Sequence, residues 1–161
     1  MNLKKIFATA ALGALLGALS LNTAAAAGAT HSFGGSRVVV ESSKSFNDVA
    51  KSIEKLVATN GMMVMAEVNQ GKMLSMTGLK LNARLFLIGN PNVGKQVFSE
   101  DHGAGLYIPL RIFVYDDKDG KTYVAYDRPS ALLGQFNNEK VGMVGKMLDE
   151  KIEGLASMAA K

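Results

Sequence analysis

The sequence predicts a single α+β domain of β-α-β(4)-α type, a largely antiparallel sheet with two main helices packed on one face. Three observations carry that prediction. Residues 105–129, GLYIPLRIFVYDDKDGKTYVAYDRP, read as two strands folded back through an Asp-Asp-Lys-Asp-Gly turn. Two amphipathic helical stretches stand out, Phe46–Val57 after the first strand signal and Asn138–Ala159 after the last. Short runs rich in strand formers, Arg37–Ser42, Met62–Val68 and Ala83–Ile88, supply the rest of a sheet.

The chain opens on a different kind of segment. Lys4 and Lys5 precede an apolar run, Ile6–Leu21, and then small residues at Thr23–Ala27. That order predicts a secretory signal peptide over residues 1–27, with Ala24-x-Ala26 or Ala25-x-Ala27 meeting the small-x-small cleavage rule. The apolar run is shorter than the roughly 20 residues a membrane-spanning helix needs. The expected location is therefore periplasmic or secreted, with no membrane association after cleavage. Residues 28–36 read as a flexible, glycine-rich leader, and residues 37–160 as the folded domain. The formal charge of +4 falls to +2 once Lys4 and Lys5 are set aside, too small and too evenly mixed to argue for nucleic acid. With no cysteine, disulfides, thiolate metal sites, cysteine nucleophiles and covalent haem attachment are excluded.

Each element follows in order. Arg37–Ser42 is the first strand. Ser45 reads as an N-cap with Asp48 three residues on, and Phe46, Val49, Ala50, Ile53, Leu56 and Val57 form one buried helical stripe. Asn60-Gly61 closes that helix, and Met62–Val68 is the second strand. A short helix closed by Gly78 fits Asn69–Leu81, followed by the third strand at Ala83–Ile88 and a helical turn at Val93–Ser99. The hairpin's first strand, taken as Leu106–Tyr115, would face the core with Leu106, Ile108, Leu110, Ile112 and Val114. Its other face would carry Tyr107, Arg111, Phe113 and Tyr115. The return strand is Thr122–Arg128, stopped by Pro129. Ser130–Phe136 is a connector, and the last helix carries Val141, Val144, Leu148, Ile152 and Leu155 as its stripe, with Met143, Met147 and Met158 widening it.

Gly89-Asn90-Pro91-Asn92-Val93-Gly94-Lys95 matches the phosphate-loop pattern GxxxxGK and follows a strand. The chemistry fails on inspection. Gln96 stands where a magnesium-ligating hydroxyl is needed, and the stretch up to Asp116 is too short and too glycine-rich for a parallel crossover. Asp117-Lys118-Asp119-Gly120 has part of a calcium loop's acids but lacks its first Asp and closing Glu, and reads as the hairpin turn. His102, beside Asp101, is the weak catalytic candidate; alone and without cysteine it builds no usual zinc site, and no metal site is expected.

The segments Gly78–Leu81, Leu85–Pro91, Gly94, Leu106–Val114, Asp119-Gly120 and Val124–Tyr126, in that order, resemble the DUF302 family of domains of unknown function. The resemblance covers about Arg37–Ala159 and implies the same β-α-β(4)-α arrangement, with the Gly-Asn-Pro-x-x-Gly stretch belonging to the fold. Many members carry a histidine just after the second strand, where this chain has Asn69-Gln70, so any chemistry resting on that histidine is absent here.

The functional expectation is a non-enzymatic periplasmic module that binds a small ligand or a protein partner. Its candidate binding residues are Asn90, Tyr107, Phe113, Tyr115 and Tyr126, with Tyr123 on the same hairpin; rings with polar tips suit a half-open groove. The same tyrosines could instead pack beneath the helices. No cofactor is expected beyond a remote option of non-covalent haem. A small enzyme using His102 and a homodimer assembled through a sheet edge or the Met-rich last helix stand as alternatives.

Overall fold

The computed structural model describes residues 30–33 and 36–161; the expected signal peptide at residues 1–27 lies outside them. The elements run β1 (Thr30–Phe33), β2 (Arg37–Ser42), α1 (Phe46–Thr59), β3 (Met63–Val68), α2 (Gln70–Ser75), β4 (Ala83–Gly89), α3 (Pro91–Glu100), a 3-10 turn (His102–Tyr107), β5 (Leu110–Asp116), β6 (Thr122–Asp127), α4 (Pro129–Leu133) and α5 (Glu139–Ala160). The strands make one antiparallel sheet in the order β1-β2-β6-β5-β4-β3. This is the α+β arrangement expected, with α1 and α5 packed against the same face of the sheet.

Local chemistry sets the boundaries. The Ser45 hydroxyl accepts from the Asp48 N–H (3.3 Å) and donates to the Asp48 carboxylate (2.6 Å), so the N-cap and its acidic partner hold each other. Gly61, at φ +68°, ends α1 in the left-handed conformation that a glycine adopts without penalty. At the β5–β6 turn Gly120 has φ +79°, and the Asp117 carboxylate accepts from the N–H groups of Asp119 and Lys121 (both 2.9 Å).

The core lies between the helices and one sheet face. Val38 and Val40 of β2, Val124 and Tyr126 of β6, Ile112 and Val114 of β5, and Phe86 and Ile88 of β4 are buried there. They meet Val49, Ile53 and Val57 of α1 and Leu148, Ile152 and Leu155 of α5. Burying this many aliphatic and aromatic side chains, at roughly 1.5–3 kcal/mol each, is what holds a cysteine-free domain together.

The structure corrects three expectations. The leader at 28–36, expected to be flexible, contributes strand β1, which pairs Thr30–Phe33 with Arg37–Val40 and covers an otherwise unpaired strand edge. The hairpin's first strand begins at Leu110, not Leu106, because Pro109 lacks the N–H a ladder needs and the 3-10 turn takes the residues before it. Leu106 is consequently 81% exposed instead of facing the core. Met143, Met147 and Met158 do not widen the α5 stripe; all three sit on its exposed side. Of the α5 glycines, Gly145 is the buried one, and a Cβ there would meet the Ser130 Cα at 2.9 Å and the Pro129 carbonyl oxygen at 3.2 Å. The helix forms despite its glycines because one of them admits the α4 backbone.

A candidate ligand groove on the open sheet face

Side chains alternate along a strand, so the residues interleaved with the core set point to the opposite face of the sheet. On β5 these are Arg111, Phe113 and Tyr115; on β6, Tyr123, Ala125 and Asp127; on β2, Arg37, Val39 and Glu41. Register then places them in rows. Leu85, Phe113, Ala125 and Val39 are direct cross-strand partners through four strands, and Tyr115 pairs with Tyr123, which lies two residues from Ala125.

The rows build a groove of about 520 Å³, open to solvent. Ala125 and Val39, small or short side chains in the middle of the sheet, leave the depression. Phe113 and Tyr115 stand beside it, Gln70 at the start of α2 borders it, and Arg37, Asp127 and Arg111 supply its charges. Phe113 and Tyr115 stack at 5.1 Å between centroids and 16° between planes. Tyr115 and Tyr123 continue the stack at 5.4 Å and 23°. All three rings are half-buried. The Tyr123 hydroxyl donates to the Asp117 carboxylate (3.2 Å), which anchors that end of the ladder.

Electrostatics distinguish the two arginines. The Arg37 guanidinium is held by Asp127 through two contacts, 3.0 and 3.4 Å, and the hydrogen bond to that carboxylate keeps its proton firmly in place. Arg111 is exposed and, among the described residues, has no acidic partner within ion-pair distance and no side-chain hydrogen bond. Burial, with the negative Asp117 adding to it, raises the Tyr115 phenol above its ordinary range. The ladder is therefore a neutral aromatic wall at physiological pH.

Of the other candidate residues, Tyr126 borders the groove but does not stand in it, and Tyr107, Asn90 and His102 lie elsewhere. Tyr126 has the parity of Val124, not of Tyr123, so its ring is in the core and 4% exposed. Its hydroxyl is buried without a hydrogen-bond partner, and burial pushes its pKa up to about 12. Tyr107 sits in the 3-10 turn, edge-on to Phe136 at 6.0 Å, with its hydroxyl donating to Gln135 (3.4 Å). Asn90 is the N-cap of α3: its side-chain oxygen accepts from the N–H groups of Asn92 (2.8 Å) and Val93 (3.4 Å), and its amide donates to the Gly61 carbonyl (2.6 Å). Three N–H groups of the would-be phosphate loop, those of Asn92, Val93 and Gly94, are thus already engaged by Asn90. His102 is exposed in the 3-10 turn, and the neighbouring Asp101 carboxylate is occupied with the Gly103 N–H (2.7 Å). Among the described residues no three His, Cys, Asp or Glu side chains cluster as metal ligands. Arg37, Gln70, Ala125 and Asp127 were not singled out from sequence; alternation along the return strand, which separates Tyr123, Ala125 and Asp127 from Tyr126, was the signal that could have found two of them.

With this geometry in hand, the comparison with known families is decisive for kinship. The family model described as domain of unknown function DUF302 matches residues 38–159. The chain belongs to the DUF302 family. A crystal structure of an uncharacterized conserved DUF302 protein from Bacillus stearothermophilus shares its fold, with a TM-score of 0.71 over 78% of this chain and 98% of that one, at 18% identity. Fluoride-specific ion channel FluC 1 of Brucella suis biovar 1 is similar to this DUF302 chain at 32% identity over 99 residues, 59% of this chain and 38% of that protein. Fluoride-specific ion channel FluC 2 of Brucella melitensis biotype 1 matches at 32% over 99 residues, 36% of its length. The chain thus spans little more than a third of the curated relatives it matches. Among the described residues of this DUF302 domain, no helix is long and apolar enough to cross a membrane.

Proposed function

We propose that this DUF302 domain is an exported, non-enzymatic binding module that takes a small ligand on the open face of its sheet. The observation that carries the reading is the groove itself: a stacked, half-buried aromatic wall beside an unpaired arginine, over a floor of short side chains. Apolar walls with a few placed polar groups are the usual composition of a ligand site. Export is supported by the Lys4-Lys5, apolar run and alanine sequence of the N-terminus. Catalysis through His102 gains no support, since its acidic neighbour is committed to a backbone N–H. In the channel relatives we read the shared stretch as a module carried beside the rest of the protein, and we assign no ion conduction to this chain.

Native mass spectrometry of the chain purified from a periplasmic extract tests this directly. A discrete added mass that leaves on denaturation, and that is lost in a folded Tyr115→Ala variant, is the expected result. Retention of that mass in Tyr115→Ala would place the ligand elsewhere, and a bare protein would remove the support for a tightly held one.

A second reading has its own observation. Met63 and Met65 on edge strand β3 and Met73 and Met76 at α2 are all exposed, and adaptable methionine surfaces of this kind suit a second copy of the chain. Sedimentation at high concentration decides it: a strict monomer disposes of the homodimer.

A further inference from the structure

We infer that the groove takes a planar aromatic anion, such as an aromatic carboxylate, whose ring stacks on Phe113 and whose charge meets Arg111. The inference rests on the reading of the groove as a ligand site and names the class of ligand. It follows from three features of the open face.

The first is the direction of the ladder. Phe113 and Tyr115 are two residues apart on one strand, and their rings stack nearly parallel at 5.1 Å. Tyr123 closes the ladder beyond Tyr115 and is tied down by Asp117. The ring face left without an aromatic neighbour is therefore that of Phe113 turned away from Tyr115, along β5 toward Arg111. A flat ring placed there extends an existing stack in the offset geometry that aromatic pairs prefer.

The second is charge. Among the charges lining the groove, Arg37 is neutralised by Asp127 at 3.0 Å, and Arg111 alone has no acidic partner among the described residues. On neighbouring β4 the residue opposite Arg111 is the apolar Leu87. An unpaired guanidinium on an apolar, half-buried surface is a planar fork matched to a carboxylate or similar acid. Lys121, the other cation near the ladder, is already held by Glu41 at 3.1 Å.

The third is space. The depression lies over Ala125, whose cross-strand partners Phe113 and Val39 are both larger. The short Ala125 leaves open space beside the Phe113 ring, and the adjoining Gln70 offers a polar edge without charge.

The test is calorimetric titration of the purified chain with 2-naphthoate, with its neutral isostere 2-naphthamide, and with the non-aromatic anion cyclohexanecarboxylate. The expected result is one naphthoate per chain, with both comparison compounds weaker by about tenfold or more, the scale of one lost charged or stacking contact. Arg111→Gln, an exposed change that leaves the core untouched, should bring naphthoate down to the level of the amide and leave the amide unchanged. Ala125→Leu fills the floor from the open face and should abolish naphthoate binding with the far-UV circular dichroism intact. If naphthamide binds as tightly as naphthoate, or Arg111→Gln binds naphthoate like wild type, the anion assignment falls and the groove remains a binding site. If a folded Ala125→Leu protein still binds naphthoate, the site is elsewhere and both readings fall. If wild type binds none of the three, the aromatic-anion inference is overturned, while the native mass measurement judges the binding module independently.

Discussion

One substitution made at two places in the same helix isolates what packs α5 against α4. Gly154 and Gly145 both lie inside α5, so replacing either by Ala removes the same backbone penalty, worth about 0.8–1 kcal/mol in a helix interior. Their surroundings differ. A Cβ at Gly154 would meet nothing within 4 Å, whereas at Gly145 it would meet the Ser130 Cα at 2.9 Å, the Pro129 carbonyl oxygen at 3.2 Å and the Leu133 Cβ at 3.3 Å. Two of those three atoms are backbone, and α4 is not free to withdraw. The Ser130 N–H and hydroxyl both donate to the Asp149 carboxylate one turn along α5, and Leu133 is fully buried. Forcing a methyl group into such a contact costs about 1–3 kcal/mol. The expected outcome is that Gly154→Ala stabilises by nearly the full helix term, while Gly145→Ala loses it and ends between neutral and about 2 kcal/mol destabilised. Urea unfolding followed by circular dichroism reads both, and thermal melts should part by about 2–5 °C per kcal/mol for a domain of this size. A Gly145→Ala protein as stabilised as Gly154→Ala would refute the close α4–α5 approach.

Further outcomes follow from single side chains. Ile112→Ala, at a fully buried position of β5, should cost about 2–5 kcal/mol, whereas Leu106→Ala, 81% exposed, should stay within about 0.5 kcal/mol; equal losses in denaturant titrations would contradict the register of that strand. Asp117→Ala removes the acceptor for two backbone N–H groups and the Tyr123 hydroxyl, so hydrogen exchange at Asp119 and Lys121 should accelerate. Those hydrogen bonds, led by the one from the Lys121 N–H, hold the Asp117 pKa below the usual carboxylate range in the folded state. The stability it contributes is thus present above the unfolded pKa and lost as pH falls through the folded one, and an acid titration of the Asp117→Asn variant should be flatter than wild type. Tyr126 gives the opposite sign at the alkaline end. With its folded pKa raised by burial to about 12, its contribution is intact below the unfolded value near 10 and lost as pH rises from there to 12, by roughly 2–3 kcal/mol at most; Tyr126→Phe should unfold later in alkali.

The fold was legible where a local rule and the tertiary packing agree. The α1 stripe from Phe46 to Val57 is buried as its spacing requires, save for the half-buried Leu56, and Ser45 with Asp48 caps it as the residue types indicate. Where the two disagree, packing decided. Leu106 alternates with Ile108 and Leu110, yet Pro109 lacks a ladder donor, and the strand starts only after it. Met143, Met147 and Met158 fall close enough to the α5 stripe to belong to it by periodicity, but the sheet and α1 already fill the core side. Strand β1 could not be read from Thr30–Phe33 in isolation, because what makes it a strand is its pairing with the edge of neighbouring β2.

The site was legible in part, and the limit is instructive. Phe113 and Tyr115 share a face because they are two residues apart, a fact available from the chain alone. That Tyr123 joins them depends on the hairpin register Tyr115↔Tyr123, which the turn at Asp116–Gly120 sets but a sequence does not count out unaided. Tyr126 illustrates the cost of grouping aromatic residues by composition: three residues from Tyr123, it has the opposite parity and belongs to the core. The groove exists because Ala125 and Val39 are short where the sheet brings Phe113, Leu85 and Arg37 around them, and a shortage of side chain leaves no mark on a hydropathy pattern. What a sequence advertises is the residue that is large or charged. What makes room for a ligand is the small one between, and Ala125 is therefore the position at which the binding reading is most exposed to refutation.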